Sequence, residues 1–266
     1  MTGGRMAIRP RKWLESKARE RVARQWTALA RGVETLTPAR LRNLRDEALG
    51  LRGDLDRFLV GTDRRAARSR AALDVLHLPG GTDWRWRLGL MAGRISPRGL
   101  AGPENGDRLG DGTAVWHDCP ERALILEQLT STGATDLSPF AVRLEVFGFA
   151  GSFLSLSVDL PASALQGLTR SHVLRLETGI LAERALNVYA RLNIGHGPNI
   201  DDLTEQLHGL EPGLYSQQVI EFDLAYTQMN EKRLEKIWLD LIFEAPRMNA
   251  VEIRELFFSR HLRAEF

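Results

Sequence analysis

Residues 140–161 read FAVRLEVFGFAGSFLSLSVDLP. Val142, Leu144 and Val146 alternate with Arg143, Glu145 and Phe147. Beyond Ala150-Gly151, Leu154, Leu156, Val158 and Leu160 alternate with Phe153, Ser155, Ser157 and Asp159. A period of two belongs to a strand with one buried face. The stretch therefore predicts two strands joined by a tight turn at Ala150-Gly151, a hairpin. A lone hairpin leaves its apolar face wet, so further strands must cover it.

The chain after it supplies them. His172–Leu181, Ala185–Ile194, Gln217–Tyr226, Lys236–Phe243 and Ala250–Arg260 all carry apolar residues at alternate positions, with a bulge expected in the last. Before it, Asp83–Met91 and Thr113–Trp116 read as strands, Ile95–Gly112 as a long loop, and Pro120–Leu129 as a helix with proline at its first position. Pro161–Leu168, Ile200–Leu207 (capped by Asn199) and at most Asn230–Glu235 read as short helices. Many short strands with loops between them predict a mainly β fold, an antiparallel β-sandwich of jelly-roll type, over residues 79–266.

Residues 1–78 have a different character and are expected to form a basic helical hairpin or coiled-coil segment. Residues 1–10 are expected to lack order. Leu14, Ala18, Val22, Trp26, Leu29 and Val33 fall on one helical stripe between Arg11 and Glu34. Thr37-Pro38 starts a second helix, and Leu41, Leu44, Ala48, Leu51, Leu55 and Phe58 then follow at steps of three and four, a heptad seam. Thr62-Asp63 reads as the start of a third helix ending near Val75, and LPGGTD, Leu78–Asp83, as the boundary.

Composition narrows the function. The first 70 residues carry 18 Lys and Arg against 8 Asp and Glu, and the remainder carries 18 against 26, which the net charge of +2 conceals. The basic segment has three readings: a hairpin whose arginines are solvated or pair with the acidic remainder, an oligomerisation module, or an anion-binding surface. It has neither helix-turn-helix nor zinc spacing, and its arginines are interleaved with acids, so nucleic acid is not the expected partner. The single cysteine, Cys119, fits a reducing compartment, and the expected location is cytoplasmic. No apolar run is long enough for a transmembrane segment.

If the aliphatic rungs face the core, the other face displays Ser155, Ser157, Asp159, Tyr189, Arg191, Asn193, Glu221, Asp223, Trp238 and Asp240. The candidate ligand-binding residues are Tyr189, Arg191, Asn193, Glu221, Asp223, Trp238 and Asp240. An aromatic ring stacks on the apolar face of a pyranose, while carboxylates, amides and arginine take its hydroxyls. A solvated face whose charges pair across strands, Arg191 with Glu221 or Asp223, has the same composition. Asp223, Asp240 and Glu177 are oxygen donors of the kind calcium takes, but no loop spacing accompanies them. His196 and Asn199 mark a polar turn. A glycosidase needs two facing carboxylates, and Asp223 with Asp240 or Glu221 has no further support. His117 and Cys119 lie too close in sequence to suggest a nucleophilic pair. No catalytic residue, metal or cofactor is assigned.

GSFLSLSVDLP, ARLNIGHGPN, EFDLAYTQMNEKR, WLDLIFEAPRMN and FFSR resemble segments of an uncharacterised family of proteins of this length from alphaproteobacteria related to Rhodobacter, over most of residues 83–264. That resemblance implies a bacterial source and transfers no activity. The strand succession is similar, in pattern, to the jelly-roll sandwiches of carbohydrate-binding modules. The sequence thus points to a non-catalytic binding module recognising a saccharide or a glycosylated partner through a sheet face. The alternative is a structural or scaffolding subunit, a homo-oligomer assembling through its N-terminal helices.

Overall fold

The computed structural model describes residues 10–70, 78–131 and 136–263. The expectations for residues 1–9 and 71–75 fall outside them. The chain forms two compact units, Met1–Leu59 and Val60–Phe266. In the first, α1 (Pro10–Arg31) is followed by a 3-10 turn, Val33–Thr35, and by α2, which begins at Pro38. A separate third helix does not form at Thr62; α2 runs unbroken from Pro38 to Arg70. No helix among the described residues is long and apolar enough to cross a membrane.

The second unit is an antiparallel sandwich of two sheets. Its strands are β1 (Trp84–Arg87), β2 (Gly99–Ala101), β3 (Thr113–His117), β4 (Leu124–Thr130), β5 (Phe140–Val146), β6 (Leu154–Asp159), β7 (His172–Ala182), β8 (Asn187–His196), β9 (Asn199–Leu207), β10 (Tyr215–Asp223), β11 (Leu234–Glu244) and β12 (Asn249–Leu262). One sheet runs β10-β7-β12-β5-β4-β2, with β1 also on β12; the other runs β3-β6-β11-β8-β9. Inward rungs of both sheets, among them Leu144, Leu156, Leu192, Phe222, Leu239 and Phe258, make one core. The bulge in β12 lies between Ile253 and Glu255. It shifts the inward parity, from Val251 and Ile253 before it to Leu256 and Phe258 after it.

Several local expectations are corrected. β5 and β6 are not a hairpin: β5 pairs with β4 and β12, whereas β6 pairs with β3 and β11. The connection between them crosses from one sheet to the other. Gly151 makes that crossing tight, because a Cβ there would sit 2.5 Å from Asp118 Oδ1 and 2.8 Å from the Phe149 ring. Pro120–Leu129 is not a helix; its apolar residues Leu124 and Leu126 are inward rungs of β4. Ile200–Leu207 is not a helix and Asn199 caps none: both belong to the edge strand β9. Of Asp83–Met91 only Trp84–Arg87 is strand, followed by a helical turn α3 (Gly89–Ala92). Pro161–Leu168 reduces to a 3-10 turn, Ala162–Leu165, and the loop Ile95–Gly112 contains β2.

Candidate functional site

The outward face of the five-stranded sheet collects most of the expected residues. Cross-strand register sets them in rows. Ala114, Ser157, Asp240, Arg191 and Thr204 stand side by side on β3, β6, β11, β8 and β9. On one side runs Trp116, Ser155, Ile242, Tyr189 and Gln206; on the other, Asp159, Trp238, Asn193 and Asp202. An open depression of ≈ 550 Å³ lies over these rows. Ser155, Ser157, Arg191, Asn193, Trp238 and Asp240 line it, and Trp116, Phe153, Ile200 and Lys236 complete the lining.

Its floor is a hydrogen-bonded carboxylate. Asp240 is buried, with 6% of its surface exposed. Its Oδ2 accepts from Arg191 Nη2 at 3.0 Å and from Asn193 Nδ2 at 2.9 Å. Asn193 Nδ2 also lies 3.2 Å from the Arg191 carbonyl oxygen. These bonds fix the orientation of all three polar groups relative to one another.

Aromatic rings stand on either side. Trp116 is 43% exposed. Its ring rests against Gly106, where an added Cβ would come within 3.2 Å of it. Trp238, half-buried, has the Lys236 ammonium 4.9 Å from its ring centre. Lys236 Nζ also reaches Asp159 Oδ1 at 2.9 Å, and Arg108 Nη1 reaches Asp159 Oδ2 at 3.1 Å. Burial pushes the Asp159 carboxyl up, but the bonds and charges of Lys236 and Arg108 outweigh it and hold it below the ordinary value. Phe153, exposed at the rim, follows the crossing loop that Asp118 clamps. That carboxylate accepts from Ser152 Oγ at 2.5 Å and from the Ser152 and Phe153 amides at 2.7 and 3.1 Å. The Ser152 hydroxyl bond, then the Phe153 amide, hold Asp118 below the usual carboxylate range.

Trp116 pairs with Ser155 and Trp238 with Asp159, on opposite sides of β6. At 3.4 Å per residue and 4.8 Å per strand, their Cα atoms are roughly 17 Å apart.

The remaining expected residues lie elsewhere. Tyr189 shares the face but does not line the depression; its hydroxyl donates to Glu244 Oε2 at 3.4 Å. Partial desolvation and the Glu244 carboxylate push that phenol up. Glu221 and Asp223 are on β10, in the other sheet, and take no part in the depression. Arg191 accordingly pairs with Asp240, while Glu221 pairs with Arg175 and Asp223 with Arg263. Asp223 and Glu177 are separated from Asp240 by the same division, so the three do not form a calcium site. Among the described residues no cluster of His, Cys, Asp and Glu has the geometry to hold a metal ion. His196 is buried, 3.3 Å from Asp201. His117 is also buried, its Nδ1 accepting the Cys119 amide hydrogen at 3.2 Å rather than facing the thiol.

The other sheet's outward side is different in kind. Arg143 pairs with Glu145, Arg175 with Glu177 and Glu221, and Arg254 with Glu252. It is a face of mutually neutralised charges.

Among solved structures, the chain is similar to the enzymatically active domain of bacteriophage CBA120 tailspike protein 4, with TM-score 0.42 and 6% identity over 59% of this chain and 21% of that one. It spans about a fifth of that protein's length. It is also similar to the CBM22-1 xylan-binding domain of Paenibacillus barcinonensis Xyn10C, with TM-score 0.37 and 9% identity over 63% of this chain and 94% of that one. A family 11 carbohydrate-binding module from Clostridium thermocellum, in complex with a β-1,3-1,4-mixed-linked tetrasaccharide, gives TM-score 0.36 and 8% identity over 63% and 97%. No curated protein matches the sequence. The model of the family of unknown function DUF6478 matches residues 6–266, and the chain belongs to that family.

Proposed function

We propose that this protein is a non-catalytic binding module that takes a saccharide on the outward face of its five-stranded sheet. One observation carries the reading: two indoles, Trp116 and Trp238, flank a polar floor already hydrogen-bonded in place by Asp240, Arg191 and Asn193. Exposed aromatic surface beside fixed donors and acceptors matches a sugar ring, apolar on its faces and hydroxylated at its edge. Because the polar groups are already oriented, a ligand that bonds to them need not order them first.

The spacing favours an extended chain of sugar rings over a single one. The Cα atoms of the two tryptophans are roughly 17 Å apart, a span longer than one sugar ring, so a chain of rings can reach from one indole to the other. The floor carries a carboxylate already paired with a guanidinium, which favours a neutral glycan over a strongly charged one. Among the described residues the other sheet's outward face has no comparable aromatic pair beside a depression, and its Arg143, Arg175 and Arg254 are paired with neighbouring glutamates.

A glycan array probed with the full chain tests this. Hits among neutral oligosaccharides, lost in Trp238→Ala with the circular dichroism spectrum unchanged, are expected. An array blank at high protein concentration, or hits retained in the variant, contradicts the reading.

A further inference from the structure

The register of the five-stranded sheet sets a line between the two indoles. Trp116 stands opposite Ser155, and Trp238 opposite Asp159. Ser157 lies between Ser155 and Asp159 on β6, so it is one strand and two residues away from each indole. Its Cα is the midpoint of the diagonal from Trp116 to Trp238, roughly 8 Å from either end. The side chain there is small and 9% exposed, and Ala114, its neighbour on β3, is 4% exposed. The lining sorts along the same diagonal. Trp116 and Phe153 stand at one end, Trp238 and Ile200 at the other, and Ser157 between them. Polar groups flank the line on both sides: Asp240, Arg191 and Asn193 on one, and Asp159 with Lys236 and Arg108 on the other. Bulky side chains thus mark the ends of a passage whose middle is floored by a serine.

We propose that one oligosaccharide chain touches both indoles and crosses β6 over Ser157, an inference that rests on the saccharide reading of this face. Ser157 then sets the specificity of the site. Its small side chain lets an inner ring lie low enough for the rings on either side to stack on Trp116 and Trp238. The ligand class follows: neutral oligosaccharides long enough to span the diagonal, in preference to mono- and disaccharides. An inner ring over Ser157 has Asp240 beside it, one strand away, and Arg191 beyond. Those groups take hydroxyls at the ring's edge. Two stacked rings joined through an inner one bind more tightly than either alone, because the second contact is intramolecular. A chain following the row of Trp116 would instead meet Ile242 and Tyr189 and leave Trp238 unused.

The full chain is screened on a glycan array that carries cello-, xylo-, manno- and malto-oligosaccharides from disaccharide to hexasaccharide, and the series that binds is titrated by calorimetry. Affinity is expected to climb about tenfold or more with length and to level off once the chain spans both indoles. Ser157→Leu should erase that climb, so that hexasaccharide and disaccharide bind alike. Ser157→Ala keeps the passage open and should retain it. The urea midpoint of Ser157→Leu shows whether that variant is folded; the length dependence of the unaltered chain and the Ser157→Ala result decide without it. Affinity that does not rise with length, or a climb that folded Ser157→Leu keeps or Ser157→Ala loses, overturns this inference and leaves the saccharide reading standing. Array hits confined to glycans outside these series overturn it alone as well. An array blank for every glycan contradicts the saccharide reading itself, and this inference with it.

Discussion

Asp240 and Arg191 are partners on neighbouring strands, with Nη2 3.0 Å from Oδ2, and Asn193 shares the same carboxylate oxygen. This triad fixes the polar centre of the candidate site, and it makes that centre sensitive to a single substitution. Asp240→Ala leaves Arg191 and the buried Asn193 amide without their shared acceptor. The expected loss of stability is about 1–3 kcal/mol, read as a lower urea midpoint at unchanged slope. An unchanged midpoint would show that the triad contributes nothing to the fold.

The two indoles are expected to act independently on binding. Trp116→Ala and Trp238→Ala should each weaken an oligosaccharide about tenfold or more. With their Cα atoms roughly 17 Å apart on different strands, the two effects should add in free energy. Glu221→Ala, on the other sheet, should leave binding unchanged. Titration calorimetry on the three variants checks all of this; a Glu221→Ala loss as large as that of either tryptophan would move the site to the wrong face.

Glu255 is a buried carboxylate between Arg87, whose Nε donates to Oε1 at 2.9 Å, and the Ser138 hydroxyl, which donates to Oε2 at 2.8 Å. Burial pushes its pKa above the ordinary 4.5, more than Arg87 and Ser138 pull it down. A raised folded-state pKa contributes stability that is full below 4.5 and is lost as pH rises through the folded value. The wild-type minus Glu255→Gln difference in unfolding free energy should therefore fall as pH rises above 4.5, then level off. A difference that grows with pH would mean that Arg87 dominates instead.

Asp83 shows the opposite sign. Both its carboxylate oxygens accept from Arg260 at 2.8 Å, tying the start of β1 to β12. The Arg260 hydrogen bonds hold its pKa below the ordinary 3.8, against a smaller upward push from burial. Its contribution is present above 3.8 and lost as pH falls through the folded value. Half of this carboxylate is in water, so Asp83→Asn should lower stability by about 1 kcal/mol or less at neutral pH. The gap should close in acid. Thermal scans across pH read it; a gap independent of pH would assign the role to packing.

The sandwich was legible because inward aliphatics recur every second residue through β5 to β8 and β10 to β12, a signal that the burial of Leu144, Leu156 and Leu239 reproduces. Pairing was not legible. β5 and β6 alternate as a hairpin would, and only the tertiary fold places them in different sheets. Alternation likewise does not say which sheet a strand joins, so it sets Glu221 and Asp223 with Asp240 although β10 and β11 stand in different sheets. Ile200–Leu207 carries apolar residues at steps of three and four and buries little as an edge strand, so its helical spacing misled. Pro120–Leu129 has helix-forming residues, and packing of Leu124 and Leu126 overrode them. Trp116, Phe153, Ile200 and Lys236 line the depression but are not among the residues that strand alternation marks as candidates. For Trp116 the signal was there: it falls opposite in parity to Val115, a core residue, on a strand already recognised.

The most direct test of the saccharide face is an NMR titration of the 15N-labelled chain with neutral oligosaccharides that bind on the array. The account predicts that the indole N–H signals of Trp116 and Trp238 and the side-chain amide of Asn193 shift together, while β10 stays still. Shifts confined to the seven-stranded sheet, or none at all, would contradict it.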